Sequence, residues 1–294
     1  MFSAIEKYSM LCLIIFSFSI ININGQANLS GKFDKYKKKL LGISVTIYEF
    51  SRKEEGKKRI KAKYFAHNAN SRFNSWRDGK NVLLACSGAF SESWQIDSPP
   101  HGLCVDNGDV VNRNLVIGKD EHGNSLDGLV IVFEGGKGAG GIVIKDIEHG
   151  VISTPARSYD IKDSNSDKVA FTAWAESNNA TVFQLPLMYS KEYGKNYGEL
   201  NHGSKKERRY LAICEGNDGI IYHLIIDVAK SVYMNEFAKK IKEFLSKEFS
   251  EVYGLLVLDT GGKNILYEYF NGYGARIANT EISEATNLLV YYYE

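Results

Sequence analysis

The chain has 294 residues, enough for one large domain or two small ones, with 44% hydrophobic residues, 24% charged residues and only 4 prolines. That composition excludes a disordered or membrane-embedded chain. A formal net charge of +1 leaves no strong field to draw in nucleic acid or an acidic lipid surface.

Taken in chain order, the first signal is Lys7 followed by the apolar stretch from Met10 to Ile20 and the small or polar Asn22, Asn24, Gly25 and Gln26. Basic, apolar and small residues in that order predict a secretory signal over residues 1–25, too short in its apolar part to span a bilayer. Export to a secreted or periplasmic location is expected, with no stable membrane span once the signal is removed. Cys12 lacks the small residues that precede a lipoprotein cysteine. The three remaining cysteines, Cys86, Cys104 and Cys214, permit at most one intramolecular bridge, so a packed core has to hold the fold.

Residues 26–79 read as an N-terminal basic segment and a β-hairpin packed on a main domain of residues 80–294. Within it, residues 27–40 are polar and lysine-rich and are expected to be a mobile entry segment. Residues 43–50 and 59–66 form β-patterned runs around Glu54-Glu55-Gly56, which predicts the hairpin. Its seven Lys and Arg between Arg52 and Lys63 are interspersed with acids and read as a solvated tip, with no nucleic-acid partner.

Further strands are expected at 82–85, 102–105, 110–111, 129–133 and 141–147, with Asn107-Gly108 as a hairpin turn. Residues 157–168 and 190–208 read as polar loops. Strands at 210–214 and 220–227 flank the turn Asn217-Asp218-Gly219. Residues 234–249 are the one convincing helix, with Phe237, Ile241, Phe244, Leu245 and Phe249 on one face. Strands at 255–258, 267–270 and 288–293 complete a fold of class α+β, a mixed, largely antiparallel β-sheet core with few helices.

Several familiar patterns fail on context. Gly136-Lys137-Gly138-Ala139-Gly140-Gly141 spells a dinucleotide fingerprint but runs into the strand-like Ile142-Val143-Ile144 instead of a helix. The six histidines are scattered and make no helical i, i+4 zinc pair, and no Cys-x-x-Cys is present. No metal and no cofactor is therefore expected. Asp259-Thr260-Gly261 matches the aspartic-protease turn, but that chemistry needs two carboxylates sharing a proton, and the chain has no second copy.

Four glycine-marked elements in order carry a resemblance. They are Leu83-Leu84-Ala85-Cys86 into Ser87-Gly88-Ala89-Phe90; Pro100-His101-Gly102-Leu103 through Asn107-Gly108; Arg209-Tyr210-Leu211-Ala212-Ile213 with Asp218-Gly219 and Asp227; and Leu258-Asp259-Thr260-Gly261-Gly262-Lys263-Asn264. Together, over roughly residues 80–275, they resemble the phosphodiester glycosidase domain family. Ser87 stands where that family has Asn, Tyr210 where it has Thr, Thr260 where it has Gly, and Lys263-Asn264 where it has paired serines.

The resemblance implies a secreted hydrolase cleaving a glycosyl-1-phosphodiester in a glycan or envelope polymer, with a glycan or sugar phosphate as substrate. The alternative is a catalytically degenerate secreted protein of the same fold that binds carbohydrate or another surface partner. Asp259 and Arg209 are the expected catalytic residues: the carboxylate as nucleophile or base, the guanidinium as a two-pronged grip on phosphate. Ser87, Gly88, Gly102, Gly261, Gly262, Lys263 and Asn264 are the expected substrate-binding residues. Each has a plainer account, since Asp259 can close its own turn and Arg209 can pair with Glu207 or a nearby Asp.

Overall fold

In the computed structural model the described residues are 32–117, 125–133, 139–148, 150–154, 156–192, 194–195 and 204–294. The expected signal segment and part of the glycine-rich connection (residues 134–138) lie outside them. Residues from Phe33 to Glu294 form one compact unit.

Three large sheets and a two-stranded ribbon, Ile152–Ser153 with Ser158–Tyr159, build its described residues, and every registered strand pair is antiparallel. The first has seven strands in the order Asp34–Leu40, Ile43–Ser51, Ile221–Val232, Lys206–Glu215, Glu251–Leu258, Leu187–Ser190 and Gly194–Lys195. The second runs Asp109–Asn112, Cys104–Asp106, Thr181–Leu185, Gly128–Val132 and Ile142–Asp146. The third runs Tyr273–Arg276, Leu266–Phe270, Asn81–Ser87, Leu288–Tyr293 and Ile60–Phe65. This is the expected α+β class.

The three sheets turn one face each toward a shared core. Tyr48, Phe50, Leu211 and Leu256 enter it from the first sheet, Val130 and Phe183 from the second, and Tyr64, Leu84 and Tyr291 from the third. Two ring stacks stitch the sheets together, Phe50 on Tyr291 and Tyr64 on Phe183, each with centroids 4.0 Å apart. Offset aromatic pairs of this kind add to their area burial and fix the relative position of the sheets.

The outer face of each sheet is covered by its own helix. Helix α1 (Ala69–Trp76) lays Ala69 and Phe73 on Val82, Tyr269 and Val290 of the third sheet. Helix α2 (Asn165–Ser177) lays Phe171 and Ala175 on Val105, Leu129 and Val182 of the second. Helix α3 (Met234–Glu248) lays Phe237, Ile241 and Leu245 on Ile47, Ala212 and Val257 of the first. Strands covered on both faces read as continuous apolar runs, which is why Tyr210-Leu211-Ala212-Ile213-Cys214 shows no alternation. Among the described residues no helix is long and apolar enough to cross a membrane.

The expected hairpin of 43–50 with 59–66 does not form. Ile43–Ser51 pairs with Asp34–Leu40 and Ile221–Val232, whereas Ile60–Phe65 pairs with Leu288–Tyr293 in another sheet. The chain switches sheets across residues 52–59, because Arg52 N–H donates to Ile221 O and Arg59 N–H to Glu294 O. The entry segment is also more ordered than expected: Asp34–Leu40 is an edge strand, turned at Leu41-Gly42 with φ of 49° and 75°. Lysine-rich edges are a common defence against further pairing, and here they conceal the strand. Helices α1 and α2 are additional to the one helix expected, and α2 begins inside the presumed 157–168 loop, taking its last residues 165–168. The turn Asn107-Gly108 falls where expected, and Asn271-Gly272 makes a second of the same kind, both residues of each having positive φ.

Candidate functional site

Three strand ends meet at one turn. Lys206–Glu215 pairs with Glu251–Leu258 in a register that sets Arg209 opposite Leu258, and with Ile221–Val232 so that Arg209 faces Asp227. One step past Leu258, Asp259 leaves the strand within reach of the Arg208 charge. From the third sheet, the end of Asn81–Ser87 delivers Ser87 and Gly88 to the same place: Asp259 N–H donates to Gly88 O at 2.9 Å.

Arg209 is fully buried and its guanidinium is committed. Nε and Nη2 donate to Asp227 Oδ1 at 3.1 and 2.9 Å, Nη1 to Ile265 O at 2.7 Å, and Nη2 also to Asn264 Oδ1 at 2.9 Å. Asn264 passes the connection on, its Nδ2 donating to Glu207 Oε2 at 2.9 Å, while Thr260 Oγ1 donates to Glu207 O at 2.7 Å. Ser87 Oγ donates to Lys263 O at 2.5 Å and accepts Ile265 N–H at 2.9 Å. Ser87, Gly88, Arg209, Asp259 and Asn264 thus converge on the 259–265 turn. Arg209 cannot be the expected grip on a phosphate, because a guanidinium with no exposed surface reaches a ligand only through the residues it holds.

The remaining expected residues divide. Lys263 is paired with Glu284 at 2.7 Å. Gly261 and Gly262 are exposed, and Gly261 N–H donates to Asp259 Oδ1 at 2.8 Å. Gly88 has a packing reason to be glycine, since a Cβ there would lie 2.6 Å from Tyr64 Cε2 and 2.8 Å from Asn287 Oδ1. Gly102 sits at φ +87° against Gln184, whose Oε1 would be 2.5 Å from an added Cβ, so packing accounts for it as well.

Asp259 itself is partly buried. Burial raises its pKa above the ordinary carboxylate value, opposed by the Gly261 amide and by the charges of Arg209, Lys206 and Arg208. Arg208 was not among the expected residues. It is half-buried, burial lowers its pKa, and the Asp259 charge acts in the opposite direction. The signal for it is the Arg208-Arg209 doublet at a strand start, since alternation sends one guanidinium to each face.

The raised carboxyl makes a pH prediction. Native Asp259 holds its proton to higher pH than the unfolded chain does, so the stability its protonated form contributes is full below the unfolded pKa and lost as pH rises through the native one. Asp259→Asn removes that titration. The variant should gain stability relative to wild type as pH rises from the ordinary carboxylate range upward, read from urea midpoints at several pH values. A stability difference that is constant with pH would contradict the burial of this carboxyl.

No protein-family model matches the chain, and no curated protein matches it. Among solved structures, the zebrafish N-acetylglucosamine-1-phosphodiester alpha-N-acetylglucosaminidase catalytic domain, auto-inhibited by its pro-peptide, is similar at 11% identity and a TM-score of 0.47, over 88% of this chain and 81% of that one. A hypothetical protein from Synechocystis is similar at 11% identity and a TM-score of 0.46, over 89% of this chain and 62% of that one. The relation is a distant one at the level of the fold, and at such scores it carries no argument about activity.

Proposed function

We propose that the chain is an exported hydrolase of the phosphodiester glycosidase type, with its chemistry at the Asp259 turn. The observation that carries this reading is the convergence of Ser87, Gly88, Arg209 and Asn264 on the 259–265 turn, which opens with the partly buried Asp259. They belong to three of the four sequence elements that resemble the family. Asp259 Oδ1 is anchored by the Gly261 amide, which orients the carboxylate. The bare backbone of Gly261 and Gly262 leaves room for a ligand beside it.

Cleaving a sugar-1-phosphodiester expels a phosphate monoester, a far better leaving group than a sugar alcohol. A second carboxyl acting as strong general acid is therefore less necessary than in ordinary glycosidases. Asp259 would attack the anomeric carbon or activate water at it. Arg208, half-buried and within reach of the Asp259 charge, is the cation suited to the departing phosphate. Arg209 is a positioning residue, acting through Asn264 and Ile265.

The test is turnover of a panel of glycosyl-1-phosphate methyl esters by the whole protein and by its Asp259→Asn and Arg208→Gln variants. Release of free sugar by wild type, loss in the first variant and a raised KM in the second support the reading. No release by folded wild type across the panel would overturn it. That result would favour a degenerate carbohydrate-binding relative, a reading that also has an observation behind it: the Arg209 guanidinium is wholly consumed inside the protein.

A further inference from the structure

The three tryptophans have different surroundings. Trp76 packs edge-on against Phe65 and Tyr292 with centroids 5.5 and 4.8 Å away, and Trp174 stacks on Phe171 at 5.6 Å. Trp94 is 75% exposed. A single exposed indole needs no explanation in itself, so what bears on a ligand is where this one is held.

Its position is well defined. Trp94 rides on the 91–100 loop, which is closed by the Ser91 and Pro100 bridge and by Glu92 N–H donating to Pro99 O at 3.1 Å. Ser93 N–H donates to the buried Ser98 Oγ at 2.7 Å. Asn112 Nδ2 ties the loop from outside, donating to Glu92 Oε1 and to Pro100 O at 2.9 Å each. At the other edge Asn287 Nδ2 holds Ala89 O at 2.8 Å and Ser91 Oγ at 3.1 Å, fixing the loop to the segment that follows Gly88.

This scaffold brings Trp94 beside the site. A Cβ built on Gly262 would find Trp94 Cβ 3.9 Å away as its nearest neighbour. Gly262 follows Gly261, whose amide anchors Asp259. Trp94 Cβ and the Asp259 carboxylate therefore lie against two consecutive exposed glycines, Gly262 and Gly261.

We propose that Trp94 is the stacking platform of a saccharide subsite adjoining Asp259, taking a neutral pyranose ring of the glycan. This rests on reading the Asp259 turn as the hydrolytic site. A sugar fits better than a protein partner. The exposed apolar surface here is one indole with Ile96 beside it, far short of the roughly 800 Å² per partner of a stable protein interface. The flanking Ser93, Gln95 and Asp97 are exposed and polar, suited to the hydroxyls around a ring whose C–H face lies on the indole.

The experiment titrates the whole protein by isothermal calorimetry with methyl glycosides of glucose, N-acetylglucosamine, galactose and mannose, and with the corresponding disaccharides. Saturable binding is expected for at least one of them. Trp94→Ala should weaken it at least tenfold, Trp94→Phe should restore part of it, and Asp259→Asn should leave it in place. A panel in which nothing binds, or binding that persists unchanged in Trp94→Ala, overturns the subsite. Trp94-dependent binding without turnover keeps the subsite and removes the hydrolase reading. Turnover whose KM is unchanged in Trp94→Ala does the reverse.

Discussion

Arg209→Met should cost about 3–5 kcal/mol of folding stability, the usual result of removing one partner from a buried pair. Methionine fills much of the same volume but donates nothing. Oδ1 of Asn264 loses its donor in a dry interior, the carbonyl of Ile265 keeps only the Ser87 N–H, and Asp227 keeps its charge with two hydrogen bonds gone. Arg209→Lys retains the charge without the planar fork and should recover only part of the loss. Urea midpoints with unchanged m-values are the measurement. The double variant Arg209→Met/Asp227→Asn should lie well above the sum of the single variants, because it removes both charges together. A cost below about 1 kcal/mol would mean that the guanidinium is not holding the turn.

Asp259→Asn should lower turnover of a glycosyl-1-phosphodiester by about 10²–10⁴-fold, the range for losing a general base or acid. The substitution is nearly isosteric, and the amide oxygen can still accept the Gly261 N–H that Oδ1 accepts now. A fall in kcat with an intact fold therefore isolates chemistry from architecture. The contrast with Arg209→Met is diagnostic, since that variant should lose activity together with stability. Turnover within tenfold of wild type in Asp259→Asn would move the reaction to another part of the molecule.

What could be read from the residues divides along physical lines. Turns with a left-handed requirement were legible, Asn107-Gly108 among them, because the constraint is local. So was α3, expected over 234–249 and found as Met234–Glu248, its apolar stripe being wide and regular. Partnership between strands was not legible. Residues 43–50 and 59–66 have hairpin-like patterns, yet the chain between them crosses from one sheet to another, and only long-range pairing decides that. Helix α1 was hidden because only Ala69 and Phe73 of its eight residues are buried and no side chain caps it. Helix α2 did carry a signal, Ser164-Asn165-Ser166-Asp167, with Ser164 Oγ accepting Asp167 N–H at 3.2 Å.

At the site, the sequence order of Ser87, Gly88, Arg209 and Asp259 anticipated residues that share one turn. It did not anticipate which way the guanidinium faces. Residue type cannot distinguish a cation turned to a ligand from one turned to the interior, whereas strand register can: Arg209 sits between Asp227 and Leu258 and points into the core.

The shared core has a consequence for how the molecule comes apart. Cys86, Cys104 and Cys214 are all free and buried, and they lie one in each sheet: the third, the second and the first. Burial pushes the Cys86 thiol up to about 12 and raises the other two as well, so none is a reactive thiolate in the native protein. The chain therefore carries a native reporter in each layer. Alkylation at rising urea, resolved by peptide, reads the opening of each sheet separately. If the stacks of Phe50 on Tyr291 and Tyr64 on Phe183 make the three sheets one cooperative body, all three thiols become reactive at the same urea concentration.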